Sequence, residues 1–232
     1  VGSTPVAKYI YEEGSKHGKR VQALGGAKNH ALILPDADLD LVADSMINAG
    51  FGSAGERCMA ISVAVAVEPI ADDLIAKIVE RMGKLRTGDG RRGCDMGPLV
   101  TKVHRDKVAS YIDIATEDGA TVVVDGRNDK FDGAENGFWL GPTLIDKVPT
   151  SSKVYTEEIF GPVLSVIEFN GMEEAISIAN DTIYGLAAGV WTSDISKAHK
   201  TAKALRAGMV WINHYDGGDM TAPFGGYKQS GN

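Results

Sequence analysis

The segment from 163 to 213 reads as strand, helix, strand, helix, strand, and that order leaves few folds open. Val163 to Phe169, Ala187 to Trp191 and Met209 to Asn213 are short apolar runs of strand character. Between them, Met172 to Asn180 and Asp194 to Ala207 carry helical patterning. Parallel strands joined through helices need crossover connections. The pattern therefore predicts an α/β fold: a largely parallel sheet with helices on both faces.

The alternation extends towards the amino end. Pro5 suits a first helical turn, and Val6 to Glu13 reads as helix. Val21 to Leu24 reads as a short strand stopped by Gly25-Gly26, and His30 to Leu34 as a second strand stopped by Pro35. Acids at Asp36 to Asp40 suit a helix start, and that helix is expected to end at Gly50. Ile61 to Val67 is a continuous β-branched and alanine run, the mark of a buried strand. From Pro69, residues Ile70, Leu74, Ile75, Ile78, Val79, Met82 and Leu85 share one helical face. A helix is expected over Thr101 to Thr116 with Val108, Tyr111, Ile112 and Ala115 inward. Thr121 to Val124 and Trp139 to Ile145 read as strands, with an exposed loop or hairpin at 125–137.

Composition narrows the function classes. With 24 basic and 31 acidic side chains the formal charge is −7, which argues against nucleic acid or an anionic membrane surface as partner. No apolar run of about 18 residues exists to span a membrane. With 44% hydrophobic and 24% charged residues, the chain is composed as a globular protein rather than a disordered one. Cys58 and Cys94 are too few for a disulfide scaffold. Glycine is over-represented: 28 residues, about 12% against the usual ~7%, which points to tight turns and close backbone approaches.

The chain opens at Val1 in a loop entering a helix and stops at Gly231-Asn232 in a glycine-rich stretch. Domains usually close on a finished element. The sequence therefore reads as a fragment, and the lack of a leader pattern says little about targeting.

Several residues carry potential chemistry. Cys58 follows the small residues Gly52-Ser53-Ala54-Gly55, adjoins Arg57 and precedes a buried strand. Arg57 would help hold a thiolate, the nucleophilic form of cysteine. The same features also suit a small buried hydrophobe. Cys94, in Gly90-Arg91-Arg92-Gly93-Cys94-Asp95, reads as a solvated loop cysteine. No CxxC, HxxxH or HExxH pattern exists, so no metal is expected. Glu157-Glu158-Ile159-Phe160-Gly161-Pro162 sets acids beside an aromatic and a turn. It is either solvated surface or a place where a carboxylate meets ribose hydroxyls. Gly2-Ser3-Thr4 before a helix suits a phosphate cradle or an ordinary N-cap. Pro223 to Lys228 is an irregular aromatic loop, either pocket lining or a packed turn.

Together these segments resemble the aldehyde dehydrogenase superfamily. Phe51-x-x-x-Gly55-Glu56-x-Cys58-x-Ala60 is similar to its cysteine signature, with Glu56 where Gln is usual. Glu157 to Val163 resembles its second hallmark, Pro223 to Gly231 its third, and Gly2-Ser3-Thr4 the start of its cofactor-phosphate turn. Within the superfamily, Gly18 to His30 and Gly52 to Ala60 look like the methylmalonate-semialdehyde type. The tail from Trp211 looks more like the aminoaldehyde and γ-glutamyl-aminobutyraldehyde types.

The resemblance implies a catalytic domain at 25–213, a remnant of the NAD-binding domain at 1–24 and a truncated return segment at 214–232. It implies Cys58 as nucleophile, Arg57 and Phe224 as substrate-binding residues, and Ser3, Leu24, Gly25, Glu158 and Phe160 as cofactor-binding residues. The substrate would be a small aldehyde and the cofactor NAD. The complete enzyme would be a homodimer or homotetramer in the cytoplasm, or in the mitochondrial matrix of a eukaryote. The common Glu-Leu-Gly-Gly motif reads Ala23-Leu24-Gly25-Gly26 here, so position 23 has no proton acceptor to activate water. The methylmalonate-semialdehyde type shares that gap and passes its acyl group to coenzyme A. The alternatives are a coenzyme-A-independent enzyme, with Glu56 or Glu157 as base, and a catalytically inactive fragment or interaction domain.

Overall fold

Helices and strands alternate much as the pattern requires. The computed structural model describes residues 1–218 and 221–231, so Asp219, Met220 and Asn232 of the expected return segment lie outside the described residues. The first half comprises α1 (Thr4–Lys16), β1 (Asn29–Ile33), α2 (Leu39–Phe51), β2 (Ile61–Val67), α3 (Glu68–Met82), β3 (Thr87–Gly88) and α4 (Lys102–Glu117). There follow β4 (Thr121–Val124), β5 (Phe131–Asp132), β6 (Thr143–Asp146), α5 (Lys153–Thr156) and β7 (Val163–Phe169). The last elements are α6 (Met172–Asn180), β8 (Ala187–Trp191), α7 (Ile195–Ala204) and β9 (Met209–Ile212).

Seven strands form one sheet in the order β4-β6-β7-β2-β1-β8-β9. Every neighbouring pair is parallel except β4 with β6. The strands at the centre are buried: all of β1, and all of β2 except half-buried Ser62. The connection from β1 to β2 steps one way across the sheet, and those from β7 to β8 and β8 to β9 step the other way. Right-handed crossovers then put α2 on one face and α6 and α7 on the other. The packing agrees, with α2 and α3 together over β2 and β7, α6 over β1 and β2, and α7 over β8 and β9. Cover on both faces buries the central strands on both sides, the polar Asn29 and His30 of β1 along with their apolar neighbours.

The helix starts follow local chemistry. Asp38 caps α2 by accepting from the N–H groups of Asp40 and Leu41, Thr101 caps α4 through His104 N–H, and Asp194 caps α7 through Ser196 and Lys197. In α4 the buried residues are Val108, Tyr111, Ile112 and Ala115, the face read from spacing. α2 runs past Gly50 to Phe51, whose ring is buried.

Two strand expectations need correction. Val21 to Leu24 is not a strand: Leu24 C=O accepts from Gly2 N–H at 3.0 Å, and Gly25 N–H donates to Ser230 C=O at 3.2 Å. These backbone groups are satisfied by irregular segments from both ends of the chain instead of a ladder. Trp139 to Ile145 becomes a strand only from Thr143, because Pro142 has no N–H to give and Gly141 N–H is spent on Gly126 C=O. The loop at 125–137 contributes β5, which pairs with β3 apart from the main sheet.

The segments that precede β1, β2 and β7 carry Gly25, Cys58 and Glu158, so the candidate site lies at the amino ends of the parallel strands. Open α/β sheets more often bind ligands at the carboxyl ends. Among the described residues no helix is long and apolar enough to cross a membrane.

Candidate active site

The loop that presents Cys58 is held in a demanding conformation. After α2 the chain enters a 3-10 turn in which Ser53, Ala54 and Gly55 have φ of 53°, 55° and 70°. Non-glycine residues in that region cost of the order of 1 kcal/mol each, so the surroundings must hold them there. A Cβ at Gly55 would sit 2.2 Å from Gly161 C=O, so only glycine lets this loop touch the turn that carries Phe160. Asn29 completes the clamp. Its Nδ2 donates to the carbonyls of Cys58 (3.0 Å) and Ala60 (2.8 Å), and its Oδ1 accepts from Ala187 N–H at 3.1 Å. Tyr215 OH donates to Met59 C=O at 2.7 Å.

Cys58 is half-buried and opens onto a cleft of about 370 Å³. The same cleft is lined by Ser3, Gly25, His104, Lys107, Glu158 and Phe160. Four predicted cofactor residues thus converge on the predicted nucleophile. Leu24 is buried and does not line the cleft, and its carbonyl accepts from Gly2 N–H. Phe224 does not line it; its carbonyl accepts from Gln22 Nε2 at 2.9 Å. Arg57 lines a smaller cavity beside Cys58, and its guanidinium is already engaged: Nε donates to Ser53 Oγ (3.1 Å) and Nη1 to Asp216 Oδ2 (3.2 Å). Ser3 precedes α1 without making a side-chain cap bond, so the helix does not use its hydroxyl.

Glu158 is fixed by Ala27 N–H, which donates to Oε1 at 3.0 Å. Burial raises its pKa, opposed by that N–H and by the charge of Lys28. Lys28 is itself buried and donates to the carbonyls of Val154 (2.7 Å) and Glu157 (2.9 Å), tying β1's approach to the turn after α5. Burial lowers its pKa to about 7, against the raising effect of Glu158 and Glu157. Glu157 turns elsewhere and accepts from Tyr111 OH at 2.5 Å. Phe160 has φ of 57°, and its carbonyl is held by His104 Nε2 at 2.7 Å. Glu56 lies 3.5 Å from the same nitrogen, with its pKa raised by burial. Neither Glu56 nor Glu157 lines the cleft onto which Cys58 opens, and Ala23 is buried with no proton acceptor.

The sequence matches the model of the aldehyde dehydrogenase family over residues 1–232. The chain belongs to the aldehyde dehydrogenase family. It is 50% identical to the malonate-semialdehyde dehydrogenase of Pseudomonas aeruginosa, an alignment that covers 99% of this chain and 47% of that protein. The methylmalonate-semialdehyde dehydrogenase of Oceanimonas doudoroffii superposes with a TM-score of 0.96 at 46% identity, covering 100% of this chain and 48% of that one. The betaine aldehyde dehydrogenase of Staphylococcus aureus in complex with NAD+ superposes at 0.94 with 38% identity, covering 100% and 46%. The chain spans about half the length of the curated relatives it matches, 47% in the Pseudomonas case.

For this aldehyde dehydrogenase chain, the sequence motifs located the cleft but missed what supports it. Asn29, Lys28, Tyr111, His104 and Tyr215 hold its loops. Asn29 and Lys28 left a signal: polar residues leading into an apolar strand, which need internal partners once buried.

Proposed function

We propose that the protein carrying this chain oxidises an aldehyde with NAD through a thioester on Cys58, and passes the acyl group to coenzyme A. The single observation that carries this is the cleft that Cys58 lines together with Glu158 and Phe160. Its residues fit a nicotinamide nucleotide. Glu158 is a fixed acceptor for ribose hydroxyls, Phe160 offers a partly exposed ring for packing, and Ser3 with the start of α1 offers donors to phosphate. NAD, when bound, supplies the hydride acceptor.

The chain's own part is nucleophilic and positional. Cys58 as thiolate adds to the aldehyde carbon, and its backbone N–H helps hold the oxyanion that forms. Loss of hydride from that carbon restores the carbonyl as a thioester. The thiol of coenzyme A then displaces Cys58, which leaves as thiolate while the incoming thiol gives up its proton. Support for coenzyme A over water comes from Ala23 and from the positions of Glu56 and Glu157 outside the cleft. In this reading residues 1–24 complete a cofactor domain, 25–213 form the catalytic domain, and 214–232 return toward the substrate. Arg57 and Phe224 face the aldehyde's far end. Replacing Cys58 with Ala is expected to abolish NADH formation. Replacing Glu158 with Gln is expected to raise KM for NAD. NADH formation that survives Cys58→Ala contradicts the reading.

A further inference from the structure

We propose that Asp216 is a specificity-determining residue of this site: by pairing with Arg57 it occupies the cation that an aldehyde's distal carboxylate would otherwise take. The proposal rests on the reading that Arg57 faces the aldehyde.

The geometry of the guanidinium carries the argument. A carboxylate binds arginine best through two parallel N–H groups, either the two Nη atoms or Nε with one Nη. Asp216 holds Nη1 at 3.2 Å, and Ser53 Oγ holds Nε at 3.1 Å. The single Nε–H is thus engaged, and so is one of the two N–H groups on Nη1, beside the negative charge of Asp216. The back of the group is closed by Gly52, where a Cβ would lie 2.8 Å from Nη1. An incoming carboxylate that binds through both Nη atoms must displace Asp216 or come to lie beside its negative charge.

Asp216 is not a loose surface acid. Tyr215 before it is buried and bonded to Met59 C=O, and Gly217 after it accepts from Trp211 Nε1 at 2.8 Å. The residue sits at φ of 65°, where Asp and Asn are among the best tolerated side chains other than glycine. The pair joins residues 159 apart in sequence and is about one-third exposed on each side, 37% and 35%. Displacement is therefore a modest penalty rather than a block. The site should discriminate among aldehydes by the charge of their distal end, with Asp216 shifting preference away from carboxylates and towards neutral ends.

The test reads Cys58 directly in the intact protein, without cofactor. Cys58 is alkylated with iodoacetate or with iodoacetamide, and the two rates are followed by mass spectrometry of its peptide. In each reaction the thiolate sulfur bonds the methylene carbon and iodide leaves, so the reagents differ only in charge. Asp216→Asn is expected to raise the iodoacetate-to-iodoacetamide ratio about 3- to 5-fold, the scale of a partly exposed ion pair. Asp216→Glu should restore a low ratio. In an Arg57→Leu background the Asp216→Asn effect should vanish, because Asp216 acts through Arg57. An unchanged ratio in Asp216→Asn, or a rise that persists without Arg57, overturns the proposal. Failure of the dehydrogenase reading would show separately, as absent NADH formation with the alkylation ratios unaffected.

Discussion

Asn29, at the first position of β1, donates from one amide nitrogen to the carbonyls of Cys58 and Ala60, 3.0 and 2.8 Å away. One buried side chain thus sets the loop that presents the thiol against the central strand of the sheet. Asn29→Ala strands those two carbonyls and the Ala187 N–H. At about 1–3 kcal/mol for each stranded buried group, partly relieved by water, the expected loss of stability is about 2–4 kcal/mol. A urea midpoint lowered at constant slope would confirm it.

His30 makes the fold acid-sensitive. Its ring is buried, its Nδ1 contacts Lys28 C=O at 2.9 Å, and its Nε2 has no partner among the described residues. Burial, with Lys28 nearby, lowers its pKa to about 3 from the usual 6.5. Between those values the unfolded chain takes up a proton that the folded chain refuses, so stability falls as pH falls through that window. At about pH 4.5 this one group should cost roughly 2–3 kcal/mol relative to neutral pH. His30→Leu is expected to flatten that part of the pH profile in urea titrations, and an equally steep profile would contradict the assignment.

Gly55 and Gly18 both have positive φ, 70° and 66°, but differ in surroundings. A Cβ at Gly55 meets the Gly161 backbone, whereas one at Gly18 has no heavy atom within 4 Å. Gly18→Ala should therefore cost only backbone strain, about 1 kcal/mol. Gly55→Ala should cost that plus a backbone shift, about 2–4 kcal/mol in all. Thermal or urea unfolding of the two variants side by side checks the ranking.

Gly26→Ala separates cofactor binding from the thiol. The new Cβ would lie 2.6 Å from Glu158 Oε2, the end of a flexible side chain, so the carboxylate is expected to swing away from Ala27 N–H. Loss of one charged hydrogen bond predicts a KM for NAD raised about 10-fold or more, with Cys58 alkylation by iodoacetamide little changed. Both readouts on the same variant decide it.

Local pattern revealed the strands and helices whose burial is set by their own periodicity, such as β2, β7, β8 and the inward face of α4. It also brought Cys58, Glu158 and Phe160 forward, because each sits in a distinctive short motif. Features decided by distant partners stayed hidden. Val21 to Leu24 has strand composition, yet residues 2 and 230 engage the Leu24 carbonyl and the Gly25 N–H. The β3–β5 pair is too short to show periodicity. The Arg57–Asp216 pair joins segments that only the fold brings together, so no local pattern around Cys58 shows it.

The most direct test of the central claim is NADH formation by the protein carrying this chain, followed from mixing with NAD and an aldehyde, with and without coenzyme A. The account predicts a stoichiometric burst without coenzyme A, as the thioester on Cys58 accumulates, and sustained turnover once coenzyme A is added. Sustained NADH formation without coenzyme A, at a rate its addition does not change, would contradict it.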